Sequence, residues 1–147
     1  MDLLVRVQIP IGTQEIDHMF YIRTTLKESG NHGIGLFAEQ DVPKGAIIWH
    51  PSPALTLHFT PQEFNDLPQE EKQIIEHYGY FHKEFNVWHL AADDSRFVNH
   101  SKTPTTTTTA DGWGLQAFVD IKKGEELTQD YSDFEGEESL RKRGLIK

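Results

Sequence analysis

The sequence predicts a mainly β chain that carries one small helical insert. Three observations lead there. Short runs of β-branched and aromatic residues are broken by Gly and Pro, a capping box opens a helix at Thr60, and five threonines run unbroken from 105 to 109. At 147 residues the chain is sized for a single domain, residues 1–147, with its own buried core.

Taken in order, residues 3–9 (LLVRVQI) and 19–26 (MFYIRTTL) have strand composition. Gly30, Gly33 and Gly35 then mark a loop of special backbone angles that leads into the apolar run Ile34 to Ala38. A turn at Pro43, Lys44 and Gly45 precedes a strand at Ala46 to Trp49. Thr60 comes before Pro61, with Glu63 three residues on, which is a capping box with proline at the first helical position. Pro68 ends that turn, and QEEKQIIEHYGY supplies a second short helix, so the insert is placed at about residues 60–92. Thr105 to Thr109, Gly114 to Val119 and Glu126 to Thr128 return to strands. The charged tail, about 135–147, is read as helical, and its basic RKRGLIK end suits a helix C-terminus.

Composition narrows the partners. A net charge of −9 disfavours direct nucleic-acid binding and favours a basic partner by steering. No stretch approaches the roughly 18 apolar residues of a membrane span, so no membrane association is expected. The chain has no cysteine, which removes disulfides and thiolate zinc sites. MDLLVRVQIP lacks the basic-then-apolar pattern of a signal peptide, and an intracellular location, cytoplasmic or nuclear, is expected. His77, His82 and His89 are spaced by five and seven, which does not gather the three on one helical face, and no His-Glu-x-x-His appears, so no metal is expected. Oligomeric state is left open.

Three separated segments carry chemistry: GIGLFA at 33–38, RFVNHS at 96–101 and IKKGEELTQDY at 121–131. Alone, a Gly-x-Gly is as well explained by a tight turn, an Asn-His-Ser by a satisfied loop network, and a tyrosine at a strand end by the core. Together, in this order and spacing, they resemble the SET-domain protein lysine methyltransferases, over roughly residues 19–135. That resemblance implies a β-clip fold in which the second and third segments cross in a knot-like arrangement. It also implies S-adenosyl-L-methionine as cofactor and a protein or peptide lysine, basic in setting, as substrate.

On the same resemblance, Gly33, Ile34, Gly35, Asn99 and His100 are the cofactor-binding candidates, Asn99 through its amide and His100 largely through its backbone. Tyr131 is the catalytic candidate, orienting and polarising rather than removing a proton. Tyr80, Tyr78 and Gln129 are candidates for the lysine channel, with Phe81 and Trp88 as further aromatic walls. Arg96 is expected to hold the crossing by pairing with an acid such as Asp130.

The sequence departs from the family where a cysteine and then Pro-Asn often follow Asn-His-Ser. Here Lys102, Thr103, Pro104 and Thr105 stand instead. No cysteine-rich segment follows Tyr131, which leaves Phe134 and the charged tail to close the channel. Two other readings stay open: a SET-fold peptide- or cofactor-binding module with weak or no turnover, and a non-enzymatic β-clip protein.

Overall fold

The structure is a computed structural model that describes residues 19–147; the strand expected at 3–9 lies outside them. Strands β1 (Thr24–Glu28) and β2 (Ile34–Ala38) form an antiparallel pair, in register from Thr24↔Ala38 to Glu28↔Ile34. The run 19–26, expected as one strand, is divided between two neighbours. Phe20 bridges to Trp49 of β3 (Ile47–Trp49), and the Tyr21 N–H donates to the Ile48 carbonyl. Only from Thr24 onward does the chain pair with β2.

The next segment forms β4 (Thr56–Phe59), α1 (Pro61–Asn65), α2 (Gln69–Tyr78), β5 (Tyr80–His82) and β6 (Val87–Ala91). The capping box is present in full. Thr60 Oγ1 accepts from the Glu63 N–H at 3.1 Å, and the Glu63 carboxylate accepts from the Thr60 N–H at 3.2 Å. Helix, however, occupies only 61–78 of the insert placed at about 60–92. The remainder pairs as β5 and β6, which with β4 make a separate three-stranded sheet in the order β4-β6-β5. The alternation that marks such strands is blurred because His82 and His89 occupy buried positions that apolar residues normally fill.

The chain then supplies β7 (Asn99–His100), β8 (Thr106–Thr108), β9 (Leu115–Ala117), β10 (Glu126–Gln129) and α3 (Glu137–Lys142). The larger sheet runs β1-β2-β10-β8-β9-β3, with β7 also paired to β10. Its core includes Leu36, Ile48, Ile121 and Leu127, none more than 1% exposed. No helix among the described residues is long and apolar enough to cross a membrane.

β10 is the axis of this sheet. It is antiparallel to β2 through Glu126 and Leu127, and parallel to β7 through Thr128 and Gln129. On its other edge it meets β8 at one Cα pair, Gln129↔Thr106. Side chains complete that thin ladder. Thr105 and Thr128 exchange backbone N–H to hydroxyl bonds at 3.1 and 3.0 Å, Thr105 Oγ1 donates to the Glu126 carbonyl at 2.9 Å, and Thr106 Oγ1 donates to the Thr128 carbonyl at 2.8 Å. The threonine run is therefore a strand whose hydroxyls take over backbone pairing.

Thr106 is fully buried, so Thr106→Val keeps the shape and leaves the Thr128 carbonyl without its donor. It should destabilise the fold by about 1–3 kcal/mol. Thr107→Val, where the hydroxyl meets Asp133 at only 3.4 Å, should be near neutral. Urea midpoints of the two variants decide this; equal effects would refute the ladder role.

Candidate active site

Parallel pairing of β7 with β10 sets two of the chemical segments side by side. Asn99 lies opposite Thr128, and His100 opposite Gln129. His100 Nδ1 accepts from the Tyr131 N–H at 3.1 Å, which places the ring proton of the neutral imidazole on Nε2. That Nε2 is buried without a partner. Burial is the first cause that lowers the His100 pKa, with Lys102 adding to it and Asp130 opposing.

Asn99 reaches the third segment. Its Nδ2 group lies within hydrogen-bonding distance of the His32 and Ile34 carbonyls, at 3.0 and 3.1 Å, and of Glu126 Oε1 at 2.9 Å. Ser29 Oγ sits 2.9 Å from both oxygens of the same carboxylate. This network ties the turn before β2 to β7 and β10. It also explains Gly35, where a Cβ would collide with the Glu126 carboxylate. Gly33 is needed for a different reason: its φ is +51°, with open space where a Cβ would stand.

The segments enclose a cavity of about 590 Å³. Gly33, Ile34, Asn99, His100, Gln129 and Tyr131 all line it, as do Tyr78 from the end of α2 and Tyr80 from β5. Gly35 does not; it packs behind the wall against Glu126. Phe81 and Trp88 are also elsewhere, Trp88 stacking on Phe64 at 4.2 Å and meeting Phe81 edge-on at 5.6 Å. Arg96 makes no pair with Asp130. Its guanidinium lies over the rings of Tyr78 and Phe97, at 5.0 and 5.1 Å, and Lys102 takes Asp130 at 3.4 Å. Burial alone would raise the Asp130 pKa, but Ser132 and Lys102 outweigh it and hold the carboxyl below its ordinary value.

Tyr131 is half-buried in this wall. Its hydroxyl donates to the Val98 carbonyl at 2.5 Å, and its ring meets His100 and Phe134 at 5.2 and 5.3 Å. Burial pushes the phenol up to about 12, Glu135 adds to the rise and Arg143 opposes it. Gln129 is buried, not turned to solvent, and its Nε2 donates to Thr108 Oγ1 at 2.8 Å. Tyr80 stacks on His89 at 4.9 Å and meets Phe134 at 4.3 Å; burial, then Glu135, raises its pKa.

Phe134, Glu135, Arg143 and Leu145, all from the segment after Tyr131, also line the cavity. Helix α3 buries Leu140 and is followed, after its cap Arg143, by Gly144 at φ +72°. There the Leu145 N–H bonds back to the Leu140 carbonyl and the Gly144 N–H to the Arg141 carbonyl. This Schellman turn brings the tail back to the cavity. Sequence reasoning named Phe134 and the charged tail together as candidates for this wall but did not single out Glu135 or Arg143; Gly144 after the basic run was the available signal. It also missed Trp113, whose flanking glycines marked an irregular loop.

Residues 33–132 match the SET domain family. This chain belongs to that family. No curated protein sequence matches it, so the remaining likeness is one of fold. A candidate histone methyltransferase of Plasmodium falciparum superposes with a TM-score of 0.55 at 19% identity, over 76% of this chain and 95% of that one. The Neurospora SET domain protein DIM-5, a histone lysine methyltransferase, gives 0.56 at 17% identity over 80% and 55%. An Ezh2-containing PRC2 structure gives 0.60 at 22% identity over 83% of this chain and 16% of that one. The SET fold accounts for the β-rich architecture and for the paired segments at β7 and β10.

His58, His82 and His89 gather around Trp113, with His58 Nε2 and His89 Nδ1 2.9 Å apart. Burial first, then His58 and His82, holds His89 at a pKa of about 3. A folded value below the unfolded 6.5 means that the fold favours the neutral ring. Its contribution is complete above about pH 6.5 and is lost as pH falls toward about 3, by up to ~1.4 kcal/mol per pH unit. His89→Leu should flatten the fall of the urea midpoint between pH 6.5 and 4; an unchanged slope would remove His89 as its source.

Proposed function

We propose that this SET-domain chain transfers methyl groups from S-adenosyl-L-methionine to lysine side chains of a basic protein or peptide. One observation carries the reading: Gly33 and Ile34, Asn99 and His100, and Gln129 and Tyr131, three pairs far apart in sequence, converge on one cavity. Its volume lies within the roughly 300–1,000 Å³ of ligand sites. The open side at Gly33 permits close approach of a ligand to backbone. Asn99 suits the cofactor less through its Nδ2, already engaged by protein acceptors, than through its Oδ1 and the loop that it holds.

When bound, S-adenosylmethionine supplies a methyl group on a sulfonium, an electrophile that needs no metal. The chain's part is to hold a neutral amine in line, in a site that excludes water. Tyr80 and Phe134 offer aromatic faces to an alkyl stem and its amine. Tyr131 remains a phenol at working pH. With its proton directed at Val98, its oxygen lone pairs are left to accept from the amine and fix its direction. Its role is orientation, not proton removal. Gln129 commits its donor to Thr108, so Oε1 is the atom that it retains for the amine or a water beside it. The net charge of −9 favours encounter with a basic substrate.

Labelled methyl transfer from S-adenosylmethionine to a histone mixture, located by mass spectrometry, tests the reading directly. Tyr131→Phe should leave cofactor affinity unchanged and cut turnover by about 10²-fold or more. Cofactor binding without transfer by the wild-type chain would replace the enzyme with a binding module. No binding at all would favour the non-enzymatic β-clip reading.

Product number tests Gln129 separately. A buried amide that hydrogen-bonds the amine restrains its rotation, so mono- and dimethyl-lysine should dominate. Gln129→Phe should shift the product toward higher methylation at long reaction times. A wild-type protein that readily makes trimethyl-lysine, or an unaltered ratio in the mutant, would refute this role.

A further inference from the structure

The most buried charge of the cavity wall belongs to no recognised motif. Glu135 is 1% exposed, and burial raises its pKa against the opposing pull of Arg143 and Ser139. One carboxylate oxygen ion-pairs with Arg143 Nη1, and the other accepts from the Ser139 hydroxyl at 3.0 Å. A buried ion pair is weak support for stability, because desolvation offsets much of its attraction. It does fix geometry, and here it fixes Arg143.

Arg143 reaches two other walls from that anchor. Its Nη2 donates at 3.2 Å to the carbonyl of Gly79, in the junction between α2 and β5 that carries Tyr78 and Tyr80. Its guanidinium carbon lies 5.6 Å from the centre of the Tyr131 ring, within cation–π range. One residue earlier, Lys142 meets Glu76 of α2 at 3.3 Å, a second tie across the same gap. We propose that Arg143, held by Glu135, is a positioning residue that packs the Tyr131 ring and locks the C-terminal wall of the lysine channel onto the α2–β5 junction.

This role rests on the methyl-transfer reading of the cavity, so its test has one arm that needs no turnover. The chain has four tyrosines, and fluorotyrosine labelling gives each a fluorine resonance, with Tyr131 assigned by Tyr131→Phe. Arg143→Gln should shift and broaden the Tyr131 signal while Tyr21 stays in place. In the transfer assay with a histone mixture, Arg143→Gln should lower kcat by about tenfold or more with the KM for S-adenosylmethionine nearly unchanged, as expected from a misplaced reacting group. It should also raise the share of higher methylated product, and Arg143→Lys should restore part of the rate. An unmoved Tyr131 resonance in a folded Arg143→Gln protein overturns the proposal, as does an unaltered kcat and product ratio. Should Arg143→Gln fail to fold, Arg143→Lys and Glu135→Gln carry the same two readouts. A wild-type chain without transfer would sink the methyl-transfer reading alone, and the fluorine spectra would still decide whether Arg143 holds the ring.

Discussion

Everything around the candidate site depends on the pairing of β10 with three neighbours at once. Four residues meet β2 and β7 on one edge and β8 on the other, and the β8 contact is a single backbone pair. The hydroxyls of Thr105, Thr106 and Thr128 make up the deficit by bonding backbone groups that would otherwise be buried and unsatisfied. A valine would pack as well but donate nothing. This is why a strand needs threonine at these positions and not merely a β-branched residue.

That constraint passes directly into the cavity. Because β7 runs parallel to β10, Asn99 faces the turn at His32–Ile34 and His100 receives the Tyr131 N–H. Tyr131 is thereby held at its backbone by His100, at its hydroxyl by Val98 and across its ring by Arg143. The catalytic candidate is thus restrained from several directions, which is the preorganisation that methyl transfer would demand.

The electrostatics of the site are set mainly by exclusion of water. Burial keeps Tyr131 and Tyr80 protonated and His89 neutral. Of the charged residues that line the cavity, Glu135 pairs with Arg143 and Glu76 with Lys142, while Arg96 lies over the rings of Tyr78 and Phe97.

By itself the sequence determined the β-rich class, the capped helix at 61, the strand nature of the threonines and the three motif segments. These are local matters of side-chain shape, capping chemistry and residue order. It could not divide 19–26 between two strands, because two separate partners compete for that run. Nor could it show β5 and β6, whose buried histidines break the apolar alternation. Gly35 and Arg96 illustrate the same limit: each belongs to a motif segment, yet one packs against Glu126 and the other against Tyr78 and Phe97. Only the tertiary structure brought Glu135 and Arg143 to Tyr131: the sequence offered the charged tail as a whole, and a Schellman turn at Gly144, set by backbone geometry, decides which of its residues reach the cavity.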